Sequence, residues 1–415
     1  MARTTQQRRR WTFAIGALTT LTLVAACGSD DEGGATTTQP ASASTAGGAT
    51  ESTAAGADTT VGGASDTTAA ATDATGGQSG SFNDLAGAQA IVAEYSKPPT
   101  DIPVTVPIEG EIPSDKTLYF IGCGTEYCSL ETDILQQAVD ILGWKLQSFE
   151  TDGTPESTTA AWTQAVRDKV DYVIYSATPR SQIGDLMDQA AANGTQIVAC
   201  CTVDKTDDVL DYVMGSDDQV GDLGKIMAAW VVDDADKQGL TNPGILYVDL
   251  PDFPILTALG ENFKSSMAGY CADCAYEKLD LGLADLAGAA DQIVSTLRAN
   301  TELKYVVLST DSPFVGVPAA LDAAGLSGIR IFGEGPTSAV LQNIVAGDQA
   351  GSMAFAIYEN FFTLVDALIR LELGLPAQPA SPPNMILTAD NITDTSKLTP
   401  LLPDTVERFK TLWGK

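Results

Sequence analysis

Residues 169–199 read KVDYVIYSATPRSQIGDLMDQAAANGTQIVA. Val170–Tyr175 is apolar but for Asp171, the pattern of a short strand covered on both faces. Ser181–Asn193 carries Ile183, Leu186, Met187 and Ala190 at helical spacing, and Gly194 ends it. Thr195–Ala199 is again a strand. A strand, a helix and a strand in about thirty residues is one βαβ unit, which a parallel sheet is built from.

The same rhythm runs outward in both directions. Upstream are a strand at Thr117–Gly122, a helix at Leu130–Leu142 closed by Gly143, a strand at Trp144–Phe149 and a helix at Pro155–Lys169. Asp211–Met214 adds a fifth strand downstream. The rhythm then restarts: helix Gln219–Ala235, strand Gly244–Asp249, helix Pro254–Ala268, strand Tyr276–Leu281 and helix Ala284–Ala299. After these come strand Tyr305–Ser309, helix Val315–Ala324, strand Ile329–Phe332, helix Ser338–Ala346, strand Ser352–Ala356 and helix Tyr358–Leu373. Two α/β halves, each a doubly wound parallel sheet, follow one another. Ahead of them, Asn83 is placed to cap a helix from Asp84 to Tyr95, and Pro103, Pro107, Gly110 and Pro113 make an extended lead-in.

Several segments, taken in order, resemble the type I periplasmic-binding-protein family of the ribose-binding kind. They are Lys169–Ile174, Ala191–Val198, Gly215-Ser216-Asp217, Ser309-Thr310-Asp311 with Ala319–Gly325, Ile331–Gly335, and Gln342–Gly347. Phe120–Gly124, Ala177–Arg180 and Ala199–Thr202 are further similar to actinobacterial lipoprotein members of that group. The resemblance implies two lobes joined by a hinge of three crossings. The first lobe is then 116–217 with 354–376, and the second is 218–353 with 377–415, after a lead-in at 85–115. It also implies closure on a ligand in the cleft.

Ligands of open α/β sheets sit beyond the carboxyl ends of the strands. Those loops hold Glu126 and Tyr127, then Thr178 and Arg180, then Thr202. Across the cleft they hold Asp252 and Phe253, then Asp311 and Phe314, then Glu334. Carboxylates and Arg with aromatic rings are what polyol recognition uses. Asp311 matches the family's ligand-contacting Asp; otherwise it caps the helix from Ser312. As a ligand contact, its change to Ala would weaken binding and leave unfolding unchanged. Two departures stand out: Gly335 occupies the place of a family Asp, with Glu334 one residue earlier, and Phe355 replaces a late cleft Gln. The sugar clamp is therefore incomplete. Trp144, Trp162 and Trp230 fall within elements and read as packing.

Seven Cys are present. Cys271 and Cys274, between a helix and a strand, read as a local disulfide rather than a redox pair opening a helix. Cys123, Cys128, Cys200 and Cys201 allow three pairings; Cys123–Cys128 would leave a vicinal Cys200–Cys201 bond facing the cleft. Their positions at strand ends argue against zinc. Asp233, Asp234 and Asp236 lack the terminal Glu of a calcium loop. No metal, cofactor or catalytic residue is expected: there is no phosphate loop, nucleophile elbow or dinucleotide fingerprint, and His is absent.

Residues 1–26 carry four Arg and no acid, with an apolar run from Trp11 to Ala26. This is the layout of an export signal, too short for the ~20 residues of a membrane span. Leu23–Gly28 resembles a lipobox, which makes Cys27 the lipidated mature N-terminus. From Cys27 to residue 84 the composition is Gly, Ala, Ser, Thr and Asp almost throughout, a flexible spacer. The formal charge of −31, with scattered Lys and Arg, argues against a nucleic-acid partner.

Together these readings describe a monomeric, lipid-anchored solute-binding protein on the outer face of the cell membrane, which hands a small polar ligand, a sugar or related compound, to an ABC permease. A sensory module for a membrane receptor or kinase and a cysteine-dependent extracytoplasmic enzyme are the alternatives.

Overall fold

Strands β1 (Thr117–Ile121), β2 (Lys145–Phe149), β3 (Tyr172–Ser176), β4 (Gln196–Cys200) and β5 (Tyr212–Met214) form one sheet in the order β2-β1-β3-β4-β5. Every pairing in it is parallel. This is a computed structural model, and it describes residues 82–415; the export signal, Cys27 and the spacer up to residue 81 lie outside the described residues.

The sheet is covered on both faces because its strands are apolar at successive positions. Tyr119 and Ile121 pack with Trp162 and Met187 of helices α3 (Pro155–Asp168) and α4 (Arg180–Ala192). Leu118 and Phe120 point the other way, into a core shared with α2 (Glu126–Leu142) and α10 (Ile357–Glu372). This alternation is the pleat at work.

The second sheet contains β6 (Gly244–Asp249), β7 (Tyr276–Asp280), β8 (Leu303–Leu308), β9 (Arg330–Glu334), β10 (Gly351–Ala354) and β11 (Met385–Leu387), ordered β11-β10-β9-β8-β6-β7. Leu246 and Val248 face helices α7 (Ala289–Ala299) and α8 (Val317–Ala323), while Ile245 and Tyr247 face α5 (Asp217–Lys237) and α6 (Pro254–Tyr270). Helix α9 (Ser338–Ala346) precedes β10, and Gly347 ends it in the left-handed conformation. Two doubly wound lobes are therefore present, as the sequence pattern predicts. The parallel rule breaks only at β11, which runs antiparallel to β10.

The structure shifts some element ends. Helix α2 starts at Glu126, not Leu130, because the Thr125 side chain accepts the Cys128 N–H. Helix α1 (Leu85–Tyr95) is capped by Asp84, whose carboxylate accepts the Gly87 N–H at 2.9 Å; Asn83 instead donates its N–H to Tyr270. The helix expected at Ala284–Ala299 divides into a 3-10 stretch, Leu283–Gly288, and α7.

The chain passes between the lobes at Gly215, at Phe355 and between α10 and β11, and then a fourth time. The tail expected in the second lobe divides. Strand β11 joins the second sheet, but α11 (Thr405–Leu412) returns to the first lobe. Its Phe409 and the following Trp413 stack on Phe362 of α10, with centroids 5.2 and 5.7 Å away. Trp413 also donates Nε1–H to Asp366 at 3.0 Å. The lead-in is fixed on the first lobe by Trp144, whose Nε1–H reaches the Pro113 carbonyl, while α1 lies against α5 of the second. Among the described residues no helix is long and apolar enough to cross a membrane.

Candidate functional site between the lobes

The carboxyl ends of the two sheets face each other across a half-open cavity of about 80 Å³. From the first lobe come the β1–α2 loop, the first turns of α2, and the loops after β3 and β4. From the second come α5, the start of α6, and the loops after β8 and β9; Phe355 of a crossing completes the wall. The lobes touch across the cleft. A Cβ placed on Gly335 would sit 3.4 Å from the Tyr127 ring, and one on Gly153 would sit 2.8 Å from Leu283. Both glycines have positive φ, +70° and +78°, and this left-handed backbone favours glycine at each.

Two disulfides border the cavity. Cys123–Cys128 ties the β1–α2 loop to the first turn of its helix, and Cys200–Cys201 closes the end of β4. Ala177 and Cys201, at neighbouring strand ends, both adopt positive φ, 58° and 62°. Such conformations persist only where the surroundings impose them. Cys271–Cys274 lies away from the cleft, between α6 and β7. One Glu131 carboxylate oxygen and the sulfurs of Cys200 and Cys201 lie within 4.8 Å of one another. With the sulfurs bonded to each other they are not thiolates, so this group does not fit a metal.

Of the ten residues the sequence puts at the cleft, Tyr127, Phe253 and Glu334 line the cavity. Tyr127 donates its hydroxyl to the Phe355 carbonyl at 3.2 Å, linking α2 to the crossing. The other seven are placed elsewhere. Arg180 turns outward to Asp207 at 2.5 Å and Asp188 at 3.3 Å, drawn by exposed carboxylates on its own lobe. Asp252 accepts the Leu283 N–H at 2.7 Å and orders the loop after β7. Thr202 donates to Asp204, and Thr178 is buried beneath its own loop, reaching the Ser176 carbonyl. Glu126 is exposed at the start of α2. Phe314 is in the core of the second lobe beside Leu321.

Asp311 neither lines the cavity nor caps a helix with its side chain. One oxygen accepts Gln349 Nε2–H at 2.9 Å, and the other accepts the Ser352 hydroxyl. It ties the end of β8 to β10. Burial raises its pKa to about 7, and these hydrogen bonds offset part of the rise. Both Asp311 oxygens are engaged within the second lobe, and the residue does not line the cavity.

Glu131 lines the cavity although the sequence reading passed over it. It lies on the face of α2 shared by Cys128, Leu135 and Ala138, where every neighbour at helical spacing is apolar. A charged residue in that phase is the signal that marks it. It is 1% exposed. Oε1 accepts the Ser176 hydroxyl at 3.2 Å, and Oε2 has no partner. Burial holds its carboxyl well above the usual range, with Glu150 adding repulsion. Glu334 is raised likewise, by burial first and then by Asp311. No Lys or Arg lines the cavity. The remaining wall is largely apolar, with Val220, Leu223, Ile255, Leu256 and Leu259 from α5 and α6.

Residues 122–375 match the family model described as periplasmic binding protein domain. A search of curated proteins by sequence finds no match. Solved structures share the fold. One is a solute-binding protein of an ABC transporter from Burkholderia graminis in complex with D-arabinose: TM-score 0.59, 16% identity, covering 69% of this chain and 99% of that one. A carbohydrate transporter protein from Acidothermus cellulolyticus in complex with myo-inositol gives TM-score 0.57 and 18% identity, covering 67% and 95%. A protein from Mycobacterium smegmatis in complex with β-D-fucofuranose gives 0.57 and 18%, covering 66% and 92%. With its two parallel-stranded lobes closed over a cleft, the chain belongs to the periplasmic-binding-protein family, in the type I fold.

Proposed function

We propose that this protein is an extracytoplasmic solute-binding lipoprotein of an ABC importer. It captures one small molecule between its lobes and presents the closed form to a membrane permease. The observation that carries this reading is the cavity at the facing strand ends, lined from both lobes. A ligand there contacts both lobes only when they are closed, and that difference in contacts drives closure. The sequence around Cys27 supports a lipid anchor, and the spacer after it supports a tether that holds the lobes off the membrane. No bond-making step is part of the reading. The sugars and polyols held by structural relatives belong in any ligand panel.

A thermal-shift panel of sugars, polyols, nucleosides, amino acids and small amines tests this, because a ligand of the folded form raises the melting temperature by mass action. Saturable stabilisation by one class, with that compound recovered unchanged, is the expected result. Turnover of the compound would instead favour an enzyme. Cys27→Ser should move the protein from the membrane to the soluble fraction of cells expressing the full chain.

A further inference from the structure

We infer that the cleft is built for an organic cation, a compact ammonium compound with an apolar body, and not for a neutral sugar. This deepens the solute-binding reading and rests on it.

Three observations converge. Glu131 lines the cavity, is buried to 1% exposure and has one carboxylate oxygen without a partner. Glu334 lines the same space from the opposite lobe, and no Lys or Arg lines it. Apart from each other, the charged groups that act on the two carboxyls and on the neighbouring Tyr127 are Glu150, Asp311 and Glu359, all acids; the Ser176 hydroxyl is the one hydrogen-bond donor to Glu131. A buried carboxylate without a counter-ion is costly, and a cation supplied by the ligand removes that cost. The third observation is the rest of the wall. Tyr127, Phe253 and Phe355 bring three aromatic rings to it, and α5 and α6 bring aliphatic side chains. Aromatic faces attract an ammonium group and an apolar wall accepts its hydrocarbon part. A sugar would leave most of its hydroxyls facing that wall without partners. The Arg that would fork onto a polyol, Arg180, is paired outside the cleft.

Choline, tetramethylammonium and phenethylamine, tested beside D-arabinose, myo-inositol and allitol by thermal shift and calorimetry on the mature chain, decide the matter. At least one cation should bind saturably and the three neutral compounds should not. Glu131→Gln and Glu334→Gln should each weaken that cation at least tenfold while melting at or above the temperature of the unmodified protein. For the permanently charged probes, affinity should rise with pH, because binding draws a proton from a carboxyl that burial keeps protonated; Glu131→Gln should flatten this dependence. Binding of a neutral sugar or polyol, with affinity unchanged in Glu131→Gln, would overturn the inference and leave the solute-binding reading standing. Cation binding unaffected by both substitutions, or no stabilisation by any cation, would overturn it as well. The wider panel and the fate of its ligand test the solute-binding reading separately.

Discussion

Two buried acids in the first lobe have opposite surroundings. Asp366, in the seam between α10 and α11, accepts Arg370 Nε–H at 2.6 Å and Trp413 Nε1–H at 3.0 Å, and Arg370 continues to the Val106 carbonyl. Glu131, on the cleft side of the same lobe, has one serine hydroxyl and an oxygen with no partner. The seam acid is neutralised within the fold and holds the C-terminal helix to the lobe. The cleft acid has only the Ser176 hydroxyl, which joins α2 to β3, and one oxygen is left without a partner. Buried polar groups are nearly always satisfied, so a group left short at a cavity wall is where the proposed ligand is tested first.

The comparison breaks most sharply at the seam. Arg370→Met strands Asp366, a side chain 1% exposed, without its cation. Loss of one partner of such a pair costs about 3–5 kcal/mol, so denaturant unfolding should shift by that amount with ligand affinity little changed. A smaller shift would mean that Trp413 alone holds the seam.

Acidification is the next largest effect. A carboxyl whose folded pKa exceeds its unfolded value gives the folded form extra protons between the two, so stability rises as pH falls through that window. For Asp311 the window runs from an unfolded value of ~3.9 up to about 7. Its contribution is on the order of 4 kcal/mol across that range. Glu131 and Glu334 are shifted in the same direction by burial. The unfolding midpoint should therefore climb from pH 8 to pH 5, and Asp311→Asn should flatten the climb. Below about pH 4 the trend should reverse, since the hydrogen-bonded carboxyls of Asp152 and Asp207 are held down at about 2. A midpoint that falls steadily from pH 8 to pH 5 would show that these carboxyls are charged.

Glu131→Gln sharpens the contrast with the seam. Without the titrating carboxyl the chain should gain more stability at pH 8 than at pH 5. A loss resembling that of Arg370→Met would make Glu131 a structural acid. Arg180→Ala should have the smallest effect. Its partners Asp188 and Asp207 are well exposed, and such pairs contribute less than about 1 kcal/mol. Ligand affinity should not change, because Arg180 does not line the cavity.

The fold was legible because its signals are local and repeated. Apolar runs such as Tyr172–Ser176 alternate with helices closed by glycine, as at Gly143, and each unit predicts the next. What escaped depends on distant partners. Strand β11 has three residues and exists as a strand because β10 offers it an edge. Helix α11 is held by Phe362 and Asp366, some forty to fifty residues away in the chain. The site was legible in its loops and much less so in its side chains. Strand-end position singled out Tyr127, Phe253 and Glu334, which line the cavity. It could not tell that Arg180 would turn to Asp207 or that Gln349 and Ser352 would engage Asp311. The walls from α5 and α6 were missed for another reason: Val220, Leu223 and Leu259 look like ordinary core positions until the second lobe is set opposite the first.

Hydrogen–deuterium exchange, with and without the compound that stabilises the protein most, tests the closure of two lobes over one ligand directly. Backbone amides at Ser176–Ala177 and Cys201 in the first lobe should slow together with those at Thr310 and Gly335 in the second. Slowing confined to one lobe, or centred away from the facing strand ends, would contradict a ligand held between them.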